Sequence, residues 1–198
     1  ERIADNRTQI DELFKKYDVR VGISIDGPGE LNELRWAHSA NKTTASTQLT
    51  LDWIRRLCEV EATPSIIITL HRANASADRL PTLIAWIAEL EQWGIRFVRL
   101  HLLESESDAL RAANGLTEEE TTGALLRLLQ FERQLKTLKF DLFGDMRAAL
   151  DPEAKGAQTC IWRGCDPYTT LAVQGVEADG SRSNCGRTNK EGIEFLKS

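Results

Sequence analysis

Two cysteines near the end of the chain, Cys165 and Cys185, bracket a stretch with the composition of a short hairpin. The apolar run 171–176 predicts a strand, and the Asp-Gly pair at 179–180 predicts a turn after it. A hairpin with a thiol at each foot brings two sulfur ligands to one point. Such a pair can form a disulfide, hold zinc or hold an iron–sulfur cluster.

The residues alone leave four interpretations of this pair open. A disulfide fits poorly with a reducing cytoplasm, and structural zinc usually takes C-x2-C pairs, which the sequence lacks. Unrelated buried thiols are the third interpretation, and cluster ligands are the fourth. Cys160, five positions before Cys165, is an additional candidate ligand, whereas Cys58 lies in a helix-like segment and is predicted to be a buried apolar residue.

The net charge and the hydropathy of the sequence argue against two kinds of partner, nucleic acids and membranes. The 198 residues carry a net charge of −5, which argues against general affinity for nucleic acid or anionic lipid. No apolar run approaches the roughly 20 residues that span a bilayer, and the charged N-terminus lacks the apolar middle of a signal peptide. We therefore expect a cytoplasmic protein with neither a nucleic-acid partner nor a membrane partner.

Strand-like and helix-like segments alternate along the first part of the chain, which predicts an α/β fold with a parallel sheet. Three strands are too few to close a barrel, which needs about eight. The composition changes near residue 151, so we predict a larger domain over 1–150 and a small module over 151–198. The predicted strands are 19–26, 65–70 (buried on both faces) and 95–103, and 30–48 is predicted to be irregular. The predicted helices are 8–17, 49–60, 80–94 and 117–138, the last opened by a capping box of Thr117 and Glu120.

Several motifs together resemble one enzyme superfamily. The pattern C-x14-G-x4-C, from Cys165 through Gly180 to Cys185, resembles the opening of the SPASM or twitch extension of radical S-adenosylmethionine (radical SAM) enzymes. "VGISIDGPGELNELRW" resembles the fourth strand of the radical SAM barrel with its Arg-containing loop, "PSIIITLHRANAS" the fifth strand and "IRFVRLHLLE" the sixth. Their order and separations agree with the family, and the resemblance covers roughly residues 10–190.

The resemblance implies the second half of a partial TIM-type radical SAM barrel, followed by a small Cys-containing β-hairpin module. It implies that Cys165, Cys185 and the additional Cys160 hold an auxiliary 4Fe-4S cluster. It also implies S-adenosyl-L-methionine as cofactor, which such enzymes cleave at a second cluster to a 5′-deoxyadenosyl radical. The substrates are peptide or protein side chains, modified by cross-linking, epimerisation or oxidation as in peptide natural product maturation, and the electrons come from a reductant such as flavodoxin or ferredoxin.

Six polar residues are the cofactor-binding candidates that the resemblance implies. Ser24 and Asp26, at the end of the first strand, offer a hydroxyl and a carboxylate for the ribose hydroxyls and the methionyl ammonium. His71 and Asn74 after the second strand, and Arg55 on the first long helix, suit the methionine carboxylate. His101 of the third strand suits adenine or a proton relay.

The same residues also allow structural roles. Asp26 fits an Asx hydrogen bond that starts the "DGPG" turn, and the polar residues after the second strand fit a solvated loop. Arg55 fits the solvent-facing side of a helix, and His101 fits a hydrogen-bonded core residue.

The sequence departs from the family pattern in two ways. The C-x3-C-x2-C loop that binds the catalytic cluster is absent, and the further cysteines of a complete SPASM module do not follow Cys185. We therefore expect an interior fragment of a longer enzyme, since half a barrel leaves an unpaired edge strand. Two alternatives stay open: a non-catalytic peptide-binding remnant of such an enzyme, and an α/β domain with a structural zinc tail.

Overall fold

The computed structural model describes residues 12–14, 16–17, 19–105, 107–151, 153, 175–176 and 182–183. The chain divides into two compact units, Glu1–Phe143 and Gly144–Ser198. The first unit contains a four-stranded sheet and the helices that connect its strands. In the described part of the second unit, two short strands form an antiparallel pair.

The sheet of the first unit is entirely parallel, and its strands lie side by side in chain order. This confirms the predicted α/β fold with helices between parallel strands. The register aligns Ser24 with Ile67 and Ile67 with Arg99, so these side chains form one row across the sheet. The strands are β1 (Gly22–Ser24), β2 (Ser65–Leu70), β3 (Phe97–Leu102) and β4 (Lys139–Phe140).

Six helices in the described residues accompany the strands. None of them combines the length and the apolar character needed to cross a membrane. The capping box predicted at Thr117 is confirmed, because its side chain and that of Glu120 each accept the other's backbone N–H. The helices are α1 (Ala40–Glu59), α2 (Arg72–Ala75), α3 (Leu80–Gln92), α4 (Asp108–Asn114), α5 (Glu118–Glu132) and α6 (Asp141–Leu150), with a 3-10 turn at Gly29–Asn32.

Only one face of the sheet is well covered. Ile66, Ile68 and Leu70 of β2 are buried, whereas Ile67 and Thr69 between them are only partly covered. The prediction that 65–70 is buried on both faces is therefore wrong. Right-handed crossovers between strands in chain order place the connecting helices on one face and leave the other uncovered.

The uncovered side of the sheet, called the open face below, has a mixed chemistry. Near the amino ends of the strands it carries an aromatic side chain, Phe97, which is 64% exposed. Near the carboxyl ends it carries hydroxyl, imidazole and guanidinium groups. The open-face residues of the three longer strands are Ser24, Ser65, Ile67, Thr69, Phe97, Arg99 and His101.

Helix α1 begins much earlier than the sequence predicts. Its first residue is Ala40, after Ser39, whose side chain accepts a hydrogen bond from the N–H of Lys42. The residues that face inward in this early part are Thr43 and Thr47, both buried. Threonine does not register in a hydrophobic periodicity, so the segment 30–48 was wrongly predicted to be irregular throughout.

The strand β4 is short and is held by a side chain of α3. Oε1 of Glu91 accepts hydrogen bonds from the backbone N–H groups of Leu138 at 2.9 Å and Thr137 at 2.7 Å. These two bonds lower the pKa of Glu91 below its ordinary value. The helix predicted over 117–138 is too long. In the structure it ends at Glu132, and the residues after it lead into β4.

The second unit contains the hairpin that the sequence predicts between the two cysteines. Gly175–Val176 pairs antiparallel with Arg182–Ser183. The predicted turn at 179–180 lies outside the described residues. Cys160, Cys165 and Cys185 lie outside the residues that the structure describes.

A glycine in the turn after β1 generates the first prediction. Gly27 has φ 142°, a conformation that other residues rarely adopt, and an added Cβ would lie 2.6 Å from the Cβ of Leu31. We expect Gly27→Ala to lower the free energy of unfolding by about 3 kcal/mol, from strain and overlap together. Urea denaturation followed by circular dichroism measures the loss.

Gly29→Ala is the matched control in the same turn. Gly29 has φ 54°, but nothing lies within 4 Å of an added Cβ. Its loss is expected to be about 1 kcal/mol, the cost of the left-handed conformation alone. Equal losses at the two positions would contradict the role given to the overlap with Leu31.

Candidate functional site

Polar residues after β1 and β2 form one network at the carboxyl edge of the sheet. Because the two strands are parallel, their carboxyl ends lie at the same edge, which is where ligands bind in many α/β folds. We call this network the Asp26 cluster. Its members are Asp26, Asn32, Arg35, Thr69, His71 and Asn74.

The carboxylate of Asp26 is at the centre of the cluster, and its side chain is only 4% exposed. Oδ1 accepts hydrogen bonds from the backbone N–H of Thr69 at 2.8 Å and from Nη2 of Arg35 at 2.9 Å. Oδ2 lies 2.8 Å from Nε of Arg35 and 3.5 Å from Nε2 of His71, the latter a long contact. The guanidinium therefore lies close to both carboxylate oxygens and makes one hydrogen bond to them, from Nη2 to Oδ1.

The surroundings of Asp26 act on its pKa in opposite directions. Burial acts to raise the pKa, while the contacts with His71, Arg35 and the N–H of Thr69 act to lower it. The lowering contributions win together, so the pKa of Asp26 lies below its ordinary value. The carboxylate is consequently charged at neutral pH despite being buried.

Asn74 joins the ends of β1 and β2. Its Nδ2 donates hydrogen bonds to the carbonyl oxygens of Asp26 at 3.0 Å and Thr69 at 2.9 Å. Its Oδ1 accepts a hydrogen bond from the N–H of His71 at 2.9 Å, which begins α2. Both donors of this fully buried amide are used inside the protein, so its present role is to fix the two strand ends.

Asn32 connects the cluster to α1. Its Oδ1 accepts a hydrogen bond from the N–H of Asp26 at 2.8 Å, and its Nδ2 donates to Oγ1 of Thr47 at 2.9 Å. The 3-10 turn that ends with Asn32 is thus bonded to a strand on one side and a helix on the other. The loop that carries Arg35 starts from this fixed point.

His71 is almost fully buried, with 1% of its surface exposed. By strict geometry neither ring nitrogen makes a hydrogen bond to the described residues, but the ring caps α2 toward the N–H of Asn74, and its Nε2 lies 3.5 Å from Oδ2 of Asp26. The imidazole is thus enclosed between the start of α2 and the carboxylate.

Two of the predicted site residues, Ser24 and His101, lie exposed on the open face. His101 is the register partner of Thr69, and adjacent strands lie about 4.8 Å apart. Both side chains are therefore near the Asp26 cluster and accessible to a ligand at the carboxyl edge.

Arg55 is not brought to this edge. It is exposed on α1, and its Cζ lies 4.6 Å from the centre of the Trp93 ring. Trp93 follows α3 and precedes β3, so the pair is near the amino edge of the sheet. Among the described residues, no group of three or more His, Cys, Asp or Glu side chains could hold a metal ion.

A cavity of about 790 Å³ opens at the amino edge of the sheet. Its lining includes Val21, Pro64 and Phe97, together with two arginines, Arg20 and Arg96. None of the predicted site residues lines it. The two edges of the sheet thus differ: the carboxyl edge has a buried polar network, and the amino edge has a partly apolar opening.

Sequence reasoning did not single out Arg35, Asn32 or Thr69 as members of the site. A usable signal exists for the arginine, since Arg35 is the only Arg or Lys between Asp26 and Lys42. A carboxylate that ends a buried strand requires a cationic or N–H partner, and this loop offers one cation within reach.

The second prediction concerns the charge of Asp26. Asp26→Asn keeps the size of the side chain but leaves Arg35 without its counter-charge, so we expect a loss of about 3 kcal/mol in the free energy of unfolding at pH 7. Because the folded pKa lies below the unfolded value of about 3.9, the wild-type advantage is present above that pH and is lost as pH falls through the folded pKa. Urea denaturation from pH 7 down to pH 2 measures the difference.

Asp52→Asn is the control for this measurement. Asp52 is exposed and accepts a hydrogen bond from the neighbouring Gln48 side chain. Its substitution is expected to change stability by less than about 0.5 kcal/mol at any pH in this range. A wild-type advantage over Asp26→Asn that persisted unchanged to pH 2 would contradict the assignment of a charged carboxylate.

Comparison with known proteins gives no assignment: no protein-family model, no curated protein and no solved structure matches this chain. The function is therefore argued from the residues and contacts described above.

Proposed function

We propose that this chain contains the second half of a radical SAM barrel and the beginning of a SPASM- or twitch-type iron–sulfur module. The parent enzyme modifies a peptide or protein side chain with a radical generated from S-adenosylmethionine. The observation that carries the proposal is the Asp26 cluster, built on "SIDGP", at the carboxyl edge of parallel strands in chain order.

The strand order supports a barrel over a doubly wound fold. In the common doubly wound order 3-2-1-4-5-6, the direction of strand addition reverses after three strands. Here four successive strands are added in one direction without a reversal. In a TIM-type barrel every strand is added this way, so the described sheet corresponds to an arc of such a barrel.

The open face supports the same interpretation. Inside a barrel, side chains fill the interior in layers, and the reacting groups lie at the carboxyl end. On the open face, Phe97 lies nearest the amino edge, Ser24, Ile67 and Arg99 form the middle row, and Thr69 and His101 lie nearest the carboxyl edge. Polar side chains at the carboxyl end are expected of a face that turns inward when further strands complete the sheet.

The described residues fit a nucleoside cofactor in part. Ser24 and His101 are exposed at the correct edge and are the proposed ribose and adenine contacts. Asp26 and Asn74 are bonded within the protein and hold the edge in shape, and His71 is buried beside them. Arg55 is not part of the proposed site, because it stacks on Trp93.

The described hairpin supports the proposed cluster module. The antiparallel pair of Gly175–Val176 with Arg182–Ser183 lies between Cys165 and Cys185 in the chain. Gly175 and Ser183 are register partners in this pair. A hairpin between the two cysteines in the chain is what we expect if both are ligands of one cluster.

The third prediction tests the cluster ligands. After anaerobic reconstitution of the chain with iron and sulfide, we expect bound iron and labile sulfide in equal amounts. Cys165→Ser and Cys185→Ser are each expected to lower both to the level of untreated protein, because a hydroxyl is a poor ligand for iron in such clusters. Iron and sulfide analysis, together with the visible absorption of the cluster, measures this.

Cys58→Ser is the matched control. Burial, followed by the charge of Glu59, raises the pKa of Cys58 to about 11, so this thiol is protonated at neutral pH and binds metal poorly. Its substitution is expected to leave the iron content unchanged. Anaerobically purified protein that contained zinc without iron or sulfide would overturn the cluster and favour the zinc-bound tail.

A second candidate function is a non-catalytic peptide-binding remnant of the same barrel, and the missing C-x3-C-x2-C motif favours it. The fourth prediction separates the two candidates. The full-length protein, loaded anaerobically with iron and sulfide and then reduced, is expected to release 5′-deoxyadenosine from S-adenosylmethionine. Chromatographic quantification of 5′-deoxyadenosine measures this, and cluster-loaded protein that releases none would favour the remnant.

A further inference from the structure

Helix α4 stands apart from the other helices of the first unit. It follows β3 at the carboxyl edge, and none of its residues, Asp108–Asn114, is buried. Its one large apolar side chain, Leu110, is 56% exposed. Helices α1, α3 and α5, in contrast, each bury several side chains. A helix without buried contacts contributes little packing energy and belongs to the low-stability end of a structure.

Among the described residues, one side chain makes the hydrogen bonds that connect α4 to another element of the unit. Nη1 of Arg72 donates hydrogen bonds to the carbonyl oxygens of Ala112 and Ala113, both at 3.2 Å. These carbonyls belong to the last turn of α4, where a cation is favoured by the helix dipole. Nη2 of the same guanidinium lies 3.6 Å from Oε2 of Glu120 in the first turn of α5.

We infer that α4 is a lid at the carboxyl edge of the sheet, and that Arg72 is the residue that holds it in the described position. Three elements meet at this guanidinium: it begins α2, binds the end of α4 and reaches the start of α5. Release of two hydrogen bonds frees α4 without disturbing a buried side chain. The lid does not depend on the proposed radical chemistry, since any ligand at this edge would meet it.

The position of Arg72 also connects the lid to the Asp26 cluster. Arg72 directly follows His71, whose imidazole lies 3.5 Å from Asp26 and whose N–H is bonded to Asn74. The residue that holds α4 therefore directly follows a member of the Asp26 cluster in the chain.

Limited proteolysis tests the inference without any assumption about activity. Trypsin cleaves after Arg111 only when α4 unfolds locally, so the rate of this cleavage reports lid opening. We expect Arg72→Ala to raise that rate roughly tenfold, the effect of losing a pair of charge-assisted hydrogen bonds. Mass spectrometry of the fragments identifies the cleavage after Arg111, and thermal melting of the same samples reports global stability.

Arg79→Ala is the control variant. Arg79 is also an exposed arginine with a partner on another element, since its Nη1 lies 2.9 Å from Oε2 of Glu30. It does not contact α4, so cleavage after Arg111 should stay at the wild-type rate. An unchanged rate in Arg72→Ala, or an equal acceleration at every cleavage site, would overturn the inference.

Hydrogen exchange of the unmodified chain gives an independent test that does not require the variant to fold. If α4 is a lid, its amides exchange faster than those of β2 and β3, and low concentrations of urea do not change their rate. If the α4 amides instead exchange only through global unfolding, with the same urea dependence as the strands, the lid does not exist.

Discussion

The structure at the carboxyl edge depends on the need to satisfy one buried carboxylate. A charged group that is 4% exposed requires partners, and Asp26 obtains them from a loop, a strand and the start of a helix. Its own backbone extends the network, because its N–H donates to Asn32 and its carbonyl oxygen accepts from Asn74. The edge is therefore held in one conformation by directional bonds, in a region where apolar packing alone would allow alternatives.

The elements with strong local signals could be predicted from the sequence. The run 65–70, the helix before Gly94 and the capping box at Thr117 all have the predicted type and nearly the predicted bounds. The first half of α1 was missed because threonines occupy its buried positions. The partnership of Asp26 with Arg35 was also missed: Arg35 is the only cation of the intervening loop, but the path of that loop decides whether it reaches the carboxylate.

Strand β2 shows that a local sequence pattern does not determine how far a strand is buried in the folded protein. An apolar run such as "SIIITL" fits a strand that is covered on both faces, yet the described residues cover only one. The local pattern does not show that the connecting helices lie on one side of the sheet, so it overestimates the burial of Ile67 and Thr69. In the proposed barrel this open face is the one that turns toward the interior. The role of Cys165 and Cys185 as cluster ligands stays a prediction.

The strict side-by-side order of the four strands also bears on how the protein acquires its structure during synthesis. Each new strand pairs with the one made just before it, so the sheet can grow as the polypeptide leaves the ribosome. Parallel pairing still requires a helix-sized loop to close first, which makes every addition slow. During that interval the strand made last presents unsatisfied backbone groups along the side that awaits its successor, and a chaperone that shields this side would reduce aggregation of the nascent chain.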